Sequence, residues 1–380
     1  MHFAFAIVSM FPGGGLQRDC VEIARRVRKL GHQVTIFTSR ILGERYAEDL
    51  PLRILNVKCY TNHQRQRAFS EEFHRAAAHN FDLLVGFDKL GGLDILYCSD
   101  RSMQARAVRN PLLQLLPRYW EYVGLEQECF APNRPTKILL LSQSQCAEYW
   151  KCWTTEPARL TVLPPTLTVA RRMPECRTDG TRTQGRERLG LSADDWVWIA
   201  VGVQPRTKGL DRTIWALRHF ADARLLIVGL DQHDARSATI GRLARCLGVA
   251  HRIHWLGHRE DVPALMAAAD LFVHPARYDT TGTVILEAVV NGLPVITTAA
   301  CGYATHVSSA GSGIVIQHPF RRRSLIAALQ AARDPAVRAE WSKSGSEYGK
   351  QASLYEGTSR ATDFIVQSAL DATKSRATAG

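Results

Sequence analysis

A chain of 380 residues, 46% hydrophobic and 22% charged, is long enough for two domains with full cores and too apolar to remain disordered. No run approaches the roughly 18 apolar residues that a membrane-spanning helix needs, which excludes that class. The formal net charge of +12 asks for an anionic partner, and nucleic acid, an anionic membrane surface and a phosphate-rich substrate all suit it.

The opening His-Phe-Ala-Phe-Ala-Ile-Val is short and shows neither a basic lead-in nor a small-residue cleavage pattern. It predicts a first strand over 3–9 and a cytoplasmic protein. Gly13, Gly14 and Gly15 follow, then an amphipathic helix to about Leu30, Gly31-His32, and a strand over 33–38. That order opens a doubly wound α/β sheet. It does not make the G-x-G-x-x-G fingerprint: no third glycine stands at the right distance and no acid ends the second strand, which speaks against NAD. The glycines let a ligand approach the backbone closely, or they serve only a tight turn.

Strands are expected near 53–57, 83–87, 95–98, 138–142 and 160–163, with a helix over about 144–153. Asp88 and Asp100 fall at C-terminal strand ends, the edge where open α/β sheets bind ligands, so each is a substrate contact or a helix cap. Between 101 and 123, Arg101, Arg106, Arg109 and Arg118 interleave with leucines, Tyr119, Trp120 and Tyr122. Such a segment suits an anionic membrane interface; the alternative is a pair of ordinary helices with a basic outer face. Pro111 and Pro117 forbid one continuous helix.

Residues 169–187 lack apolar periodicity and are rich in Arg, Thr, Pro and Gly, which reads as a linker between domains at 1–168 and 188–350. A second alternation then runs through strands at 196–203, 225–229, 253–257, 271–274, 295–298 and 314–316. Two α/β halves imply a ligand-binding cleft. The nine cysteines form no C-x2-C pair, so reduced thiols are expected, with Cys20, Cys98, Cys246 and Cys301 as packing residues.

Two stretches of the second half carry chemistry. After its first strand come Gly202, Arg206, Lys208 and Gly209, which brings two cations and a helix N-terminus to one spot, an arrangement suited to a diphosphate. Residues 274–298 read strand, polar loop, helix, turn, strand. Asp279 in the loop and Glu287 on the helix stand eight residues apart, with Gly282 and Thr283 between them. The helix start suits a phosphate or sugar hydroxyls, and Glu287, about two turns down, is placed to accept from a diol such as a ribose.

These stretches resemble the donor domain of the family 4 retaining, nucleotide-sugar-dependent glycosyltransferases, in the acid-x7-Glu unit and the Gly202-x3-Arg206-x-Lys208-Gly209 run. With Phe-Pro-Gly-Gly-Gly-Leu-Gln-Arg-Asp, Gly-Phe-Asp-Lys-x3-Leu-Asp and Cys-Gly-Tyr-Ala, the resemblance narrows to the lipopolysaccharide core glucosyltransferases that extend inner-core heptose, and it spans nearly the whole chain. Asp279 departs from the family's usual Glu, Gly13 replaces a bulkier residue, and Thr207 splits the basic pair. The resemblance implies a GT-B fold, two Rossmann-like doubly wound α/β domains facing each other across a cleft, with 351–380 packing back on the first. It implies a UDP-hexose as co-substrate, most simply UDP-glucose, and a lipopolysaccharide core acceptor. No metal or other cofactor is implied, and no D-x-D occurs to hold one. Asp19, Lys208 and Asp279 become the catalytic set; Gly14, Gly15, Arg206, Lys208, Arg259, Gly282, Thr283 and Glu287 bind the donor, with Arg259 by the base. Asp100, Arg101, Arg106, Arg109, Arg118 and Trp120 face the acceptor or an anionic inner membrane, to whose cytoplasmic face the protein is peripheral. A basic nucleic-acid-binding or membrane-binding Rossmann module is the competing class, but no nucleic-acid motif appears. An epimerase or a pyridoxal-dependent phosphorylase would need groups that the sequence does not show.

Overall fold

The computed structural model describes residues 1–43, 47–59, 61–78 and 80–379, apart from the side chains of Asn62 and 375–379. The chain divides into two compact units, Met1–Thr166 with Glu356–Gly380, and Leu167–Tyr355.

Unit 1 begins β1 (His2–Ala6), β2 (Ser9–Met10), α1 (Gly15–Lys29), β3 (Gln33–Thr38), β4 (Arg40–Ile41) and β5 (Leu52–Ile54). It continues α2 (Asn62–Ala77), β6 (Leu83–Gly86), β7 (Ile95–Cys98), α3 (Met103–Arg109), α4 (Pro117–Phe130) and β8 (Lys137–Leu140). Two further elements, α5 (Gln143–Trp153) and β9 (Leu160–Val162), complete its N-terminal part. Seven strands form one parallel sheet in the order β5-β3-β1-β6-β7-β8-β9, while β2 and β4 pair separately. Phe3, Ala4, Phe5 and Ala6 are all buried, because a parallel strand covered on both faces needs an unbroken apolar run. The chain winds outward from β1 to β5, returns to the other flank of β1, and winds outward again. The sheet therefore reverses direction between β1 and β6.

Unit 2 repeats the plan. Its elements are α6 (Thr181–Arg188), β10 (Trp196–Val201), α7 (Leu210–Leu217), β11 (Ala223–Val228), α8 (Ala238–Cys246), β12 (Ile253–Trp255) and α9 (Val262–Ala268). Then follow β13 (Leu271–His274), α10 (Thr283–Val290), β14 (Val295–Thr298), α11 (Ala304–Ala310), β15 (Gly313–Ile316), α12 (Arg322–Ala331) and α13 (Pro335–Tyr348). The six-stranded sheet runs β12-β11-β10-β13-β14-β15, all parallel, and reverses between β10 and β13. The last helix, α14 (Gly357–Ala379), belongs to unit 1, where Ala361, Ile365 and Ala369 at four-residue spacing join α1 in its core.

Two sequence expectations are corrected. Residues 169–187 are no free linker: two 3-10 turns (Val169–Arg171, Pro174–Arg177) and α6 build them into unit 2. Arg177 donates to Met266 O and Ala269 O (3.2 and 3.3 Å), Arg182 to Ala267 O (2.8 Å), and Arg186 to Ala268 O (3.0 Å). These arginines satisfy the carbonyls left open at the C-terminus of α9, where the helix dipole also favours cations. Their polarity mimics a linker; their job is capping. Cys246, expected as a packing residue, is exposed, because Ile240 and Ala244 take the buried face of α8 and the helix ends there.

Candidate functional site

In both sheets every strand points its C-terminal end to the same edge, and a ligand crevice is expected where the strand order reverses. In unit 2 that point lies between the β10–α7 and β13–α10 loops. Gly209, at φ +75°, lets the loops touch: a Cβ there would collide with the carbonyl oxygen of Pro275. Arg277 N donates to Thr207 O at 2.8 Å, and its guanidinium pairs with both Asp211 oxygens at 2.7 Å while also donating to Arg206 O at 2.7 Å. Arg212 Nη1 bonds Pro275 O at 2.9 Å.

The approach places Lys208 Nζ 2.6 Å from Asp279 Oδ2. His274 Nε2, on a residue 1% exposed at the end of β13, lies 3.1 Å from the same oxygen. Burial alone would raise the Asp279 carboxyl, but the His274 hydrogen bond and the Lys208 charge outweigh it and hold it at about 2. Burial alone would lower His274, yet its bonds to Asp279 and Cys301 raise it above the ordinary histidine value. The Asp279 backbone is fixed to the next loop by Asp279 N to Ala300 O (3.2 Å) and Gly302 N to Asp279 O (3.0 Å). Thr298 Oγ1 holds Ala276 O at 2.7 Å.

Beside this pair begins α10. Gly282 occupies its N-cap in the left-handed region at φ +77°, and a Cβ there would stand 3.4 Å from Asp279 Oδ2 and strike Ile285. The helix has neither a side-chain cap nor an acid in its first turn, so Thr283 opens a turn whose N–H groups lack side-chain acceptors. Lys208, the uncapped turn and Asp279 thus bring a cation, helix-start N–H groups and a carboxylate to one spot, an arrangement chemically suited to a diphosphate and hydroxyl groups. Glu287 is buried about one turn into α10. Arg206 is exposed, and its side chain makes no ion pair among the described residues. Arg259, on the β12 flank of the same edge, is exposed and bound to Asp261 (Nε–Oδ1 2.7 Å, Nη2–Oδ2 2.5 Å), a pairing the sequence reading did not anticipate. That reading also missed His274 and Arg277. His274 left a signal, a lone polar side chain closing the apolar strand Leu-Phe-Val-His.

In unit 1, Asp19 is buried on α1. Its Oδ2 accepts from Tyr97 OH at 2.9 Å and its Oδ1 from Arg18 Nη2 at 3.3 Å, while burial raises its carboxyl. Of the three glycines, Gly13 takes φ +82°, Gly14 has its space filled by Gln17 and Phe11, and Gly15 has nothing within 4 Å of where a Cβ would stand. Asp100 is exposed and caps nothing: the N-cap of α3 is Ser102, whose Oγ accepts from Ala105 N at 3.0 Å.

Residues 101–123 form α3, a 3-10 turn (Pro111–Leu115) and the start of α4. Arg101 turns inward to Glu148 at 3.2 Å, and Arg109 reaches the same acid at 3.5 Å. Arg106, Arg118, Val108, Leu112, Leu115 (78% exposed) and Trp120 (62%) face solvent, with Trp120 Nε1 bonded to Gln114 O at 2.9 Å. The inner side of the segment is anchored by Glu126, fully buried on α4, which accepts from Ser102 Oγ (2.5 Å), Met103 N (2.8 Å), Trp153 Nε1 (2.8 Å) and Lys89 Nζ (3.0 Å). Among the described residues no helix is long and apolar enough to cross a membrane, and no three His, Cys, Asp or Glu side chains come together as a metal site.

Two parallel α/β units, each with its reversal point and one with Lys208 and a helix start beside it, define a GT-B glycosyltransferase. The sequence pattern of the group 1 glycosyl transferases matches residues 181–348. The lipopolysaccharide glucosyltransferase WaaG of Escherichia coli K12 is 34% identical over 374 residues, which cover 96% of this chain and 98% of that one. The crystal structure of WaaG superposes with a TM-score of 0.88 over 96% of this chain and 99% of that one. HepE of Anabaena in complex with UDP-glucose, 18% identical, shares the fold at a TM-score of 0.73 over 97% and 98%. The chain belongs to the group 1 glycosyl transferase family and is a glycosyltransferase.

The coupling of Asp279 to His274 is directly testable. Asp279→Asn removes the carboxylate whose hydrogen bond and charge raise His274, so the imidazole pKa should fall. Titration of its ring protons by NMR should show that fall; an unchanged midpoint would contradict the pairing.

Proposed function

We propose that the protein transfers a hexose, glucose, from UDP-glucose to a heptose of the lipopolysaccharide inner core, with retention of anomeric configuration and without a metal or other cofactor. The observation that carries this reading is the Lys208–Asp279–His274 constellation beside the uncapped start of α10. As the glycosidic bond of the donor breaks, negative charge grows on the β-phosphate, and Lys208 with the first-turn N–H groups compensates it in place of a divalent ion. Asp279, kept ionised by its two partners, directs its carboxylate at the sugar hydroxyls and stabilises the positive charge that develops on the ring. Glu287 takes the ribose, Arg206 adds charge at the phosphate rim, and Arg259 stands toward the base. The leaving phosphate receives the acceptor proton on the face from which it departs, which preserves the anomeric configuration. Asp19, Gly14, Gly15 and Asp100 form the unit 1 side of the reaction.

The anionic cytoplasmic leaflet of the inner membrane is the proposed docking surface, which makes the protein peripheral there; nucleic acid is not a partner. Support comes from the exposed leucines and Trp120 between Arg106, Arg109 and Arg118, an amphipathic surface suited to headgroups.

Incubated in EDTA with UDP-glucose and lipopolysaccharide truncated at heptose, the purified protein should add one α-linked hexose, and Lys208→Ala should lose at least about a hundredfold in kcat because the developing phosphate charge is uncompensated. No transfer, or near-normal turnover by the variant, would reject the assignment. In flotation with phosphatidylglycerol-containing vesicles, Leu115→Ser with Trp120→Ser should release the protein; equal flotation of both proteins would remove the membrane reading.

A further inference from the structure

The unit 1 sheet reverses between β1 and β6, as the unit 2 sheet reverses at its phosphate site. The side chain standing at that reversal is Asp88, two residues past the end of β6. Its Oδ2 accepts from Val8 N, just past the end of β1, at 2.6 Å. This bond bridges the two strands that diverge, and it leaves the other carboxylate oxygen without a hydrogen-bond donor among the described residues. The residue is partly exposed. Neighbouring Lys89 does not neutralise it by contact, because its Nζ is spent on Glu126 (3.0 Å) and Arg101 O (2.9 Å) in the interior. Nothing in the packing of unit 1 requires a carboxylate here: an amide oxygen would serve Val8 equally.

We propose that Asp88 is an acceptor-positioning residue, its carboxylate taking hydroxyl groups of the acceptor sugar while Val8 fixes its orientation. The inference rests on the glycosyltransferase reading above. A carboxylate held by one backbone donor is stiff, and an ionised acceptor makes hydrogen bonds to hydroxyls about twice as strong as a neutral one. Asp88 also adds selectivity, since an acceptor without the matching hydroxyls would leave the charge desolvated and unpaired.

The surroundings give the arrangement a pH signature. Burial and the neighbouring Asp100 push the Asp88 carboxyl up, the Val8 hydrogen bond and Lys89 pull it down, and the balance lies at about 6. Cys20 and Tyr122 are also within electrostatic reach, but burial raises both, so they stay neutral near pH 6; Asp19 acts on Cys20 from α1, and Arg118 acts on Tyr122 from α4. Acceptor use is therefore expected to weaken as pH falls through about 6, when the carboxyl becomes protonated. On the donor side Asp279, held at about 2, does not change over that range. His274 lies against Asp279 on unit 2, so a change in its charge would appear in donor kinetics.

The test compares wild type with Asp88→Asn, which keeps an oxygen for Val8 N–H, using UDP-glucose and heptose-terminated lipopolysaccharide from pH 5 to 8. The expected result is a loss of at least about tenfold in kcat/KM for the acceptor at pH 7.5, an unchanged KM for UDP-glucose, unchanged thermal stabilisation by UDP, and loss of the acid limb near pH 6. Wild-type acceptor kinetics in the variant, or an equal loss in donor and acceptor parameters, would overturn the assignment. Wild type that binds no UDP and transfers no sugar would overturn the glycosyltransferase reading and this inference with it.

Discussion

Unit 2 depends on one close approach. Where the β10–α7 and β13–α10 loops meet, Gly209 lies against the Pro275 carbonyl, and no side chain fits between them. A single added methyl would force the loops apart, and with them the Lys208 ammonium and the Asp279 carboxylate that now stand 2.6 Å apart. The contact is possible because the parallel sheet reverses between these strands, opening a crevice at the carboxyl edge. Arg277 and Arg212 then fasten one loop to the other through backbone carbonyls and Asp211, so the site is positioned by groups that need not touch a substrate. Such support keeps charged groups oriented before a ligand arrives, which is the condition for useful electrostatic stabilisation.

Sharing one carboxylate oxygen between Lys208 and His274 has a chemical effect. Asp279 remains ionised despite burial, and the imidazole beside it is biased toward its charged form. The site thus holds a fixed negative charge close to the Lys208 ammonium, with His274 biased toward its charged form and the uncapped start of α10 as a further positive element. A diphosphate sugar carries its negative charge on one end and develops positive charge on the other as it reacts, which is the distribution the proposed donor role asks this arrangement to complement.

Much of the architecture was legible in the sequence because parallel strands buried on both faces demand apolar runs, and runs such as Phe3–Ala6 or Leu271–Val273 have few other uses. Lys208, Asp279 and Gly282, which the structure brings together, could be singled out because they stand at strand ends and a helix start, where an anionic ligand is expected. What escaped notice depends on contacts between distant segments. The arginines of 177–186 looked like linker polarity because the helix end they cap lies about 80 to 90 residues away in the chain. Arg259 carries no sign in its own neighbourhood that Asp261 will hold it, and Cys246 looks apolar in sequence although the turn of α8 sends it outward. The segment 101–123 left two readings open because amphipathicity does not say which face is covered. The structure shows which face is covered: Glu126 anchors the inner side, and Leu112, Leu115 and Trp120 are exposed.

The most direct measurement is a crystal structure of the protein with UDP bound. The account predicts the β-phosphate within hydrogen-bonding distance of Lys208 Nζ and of the N–H groups at Thr283, with the ribose against Glu287. A diphosphate found elsewhere on unit 2, with Lys208 still paired to Asp279 and nothing at the start of α10, would contradict it.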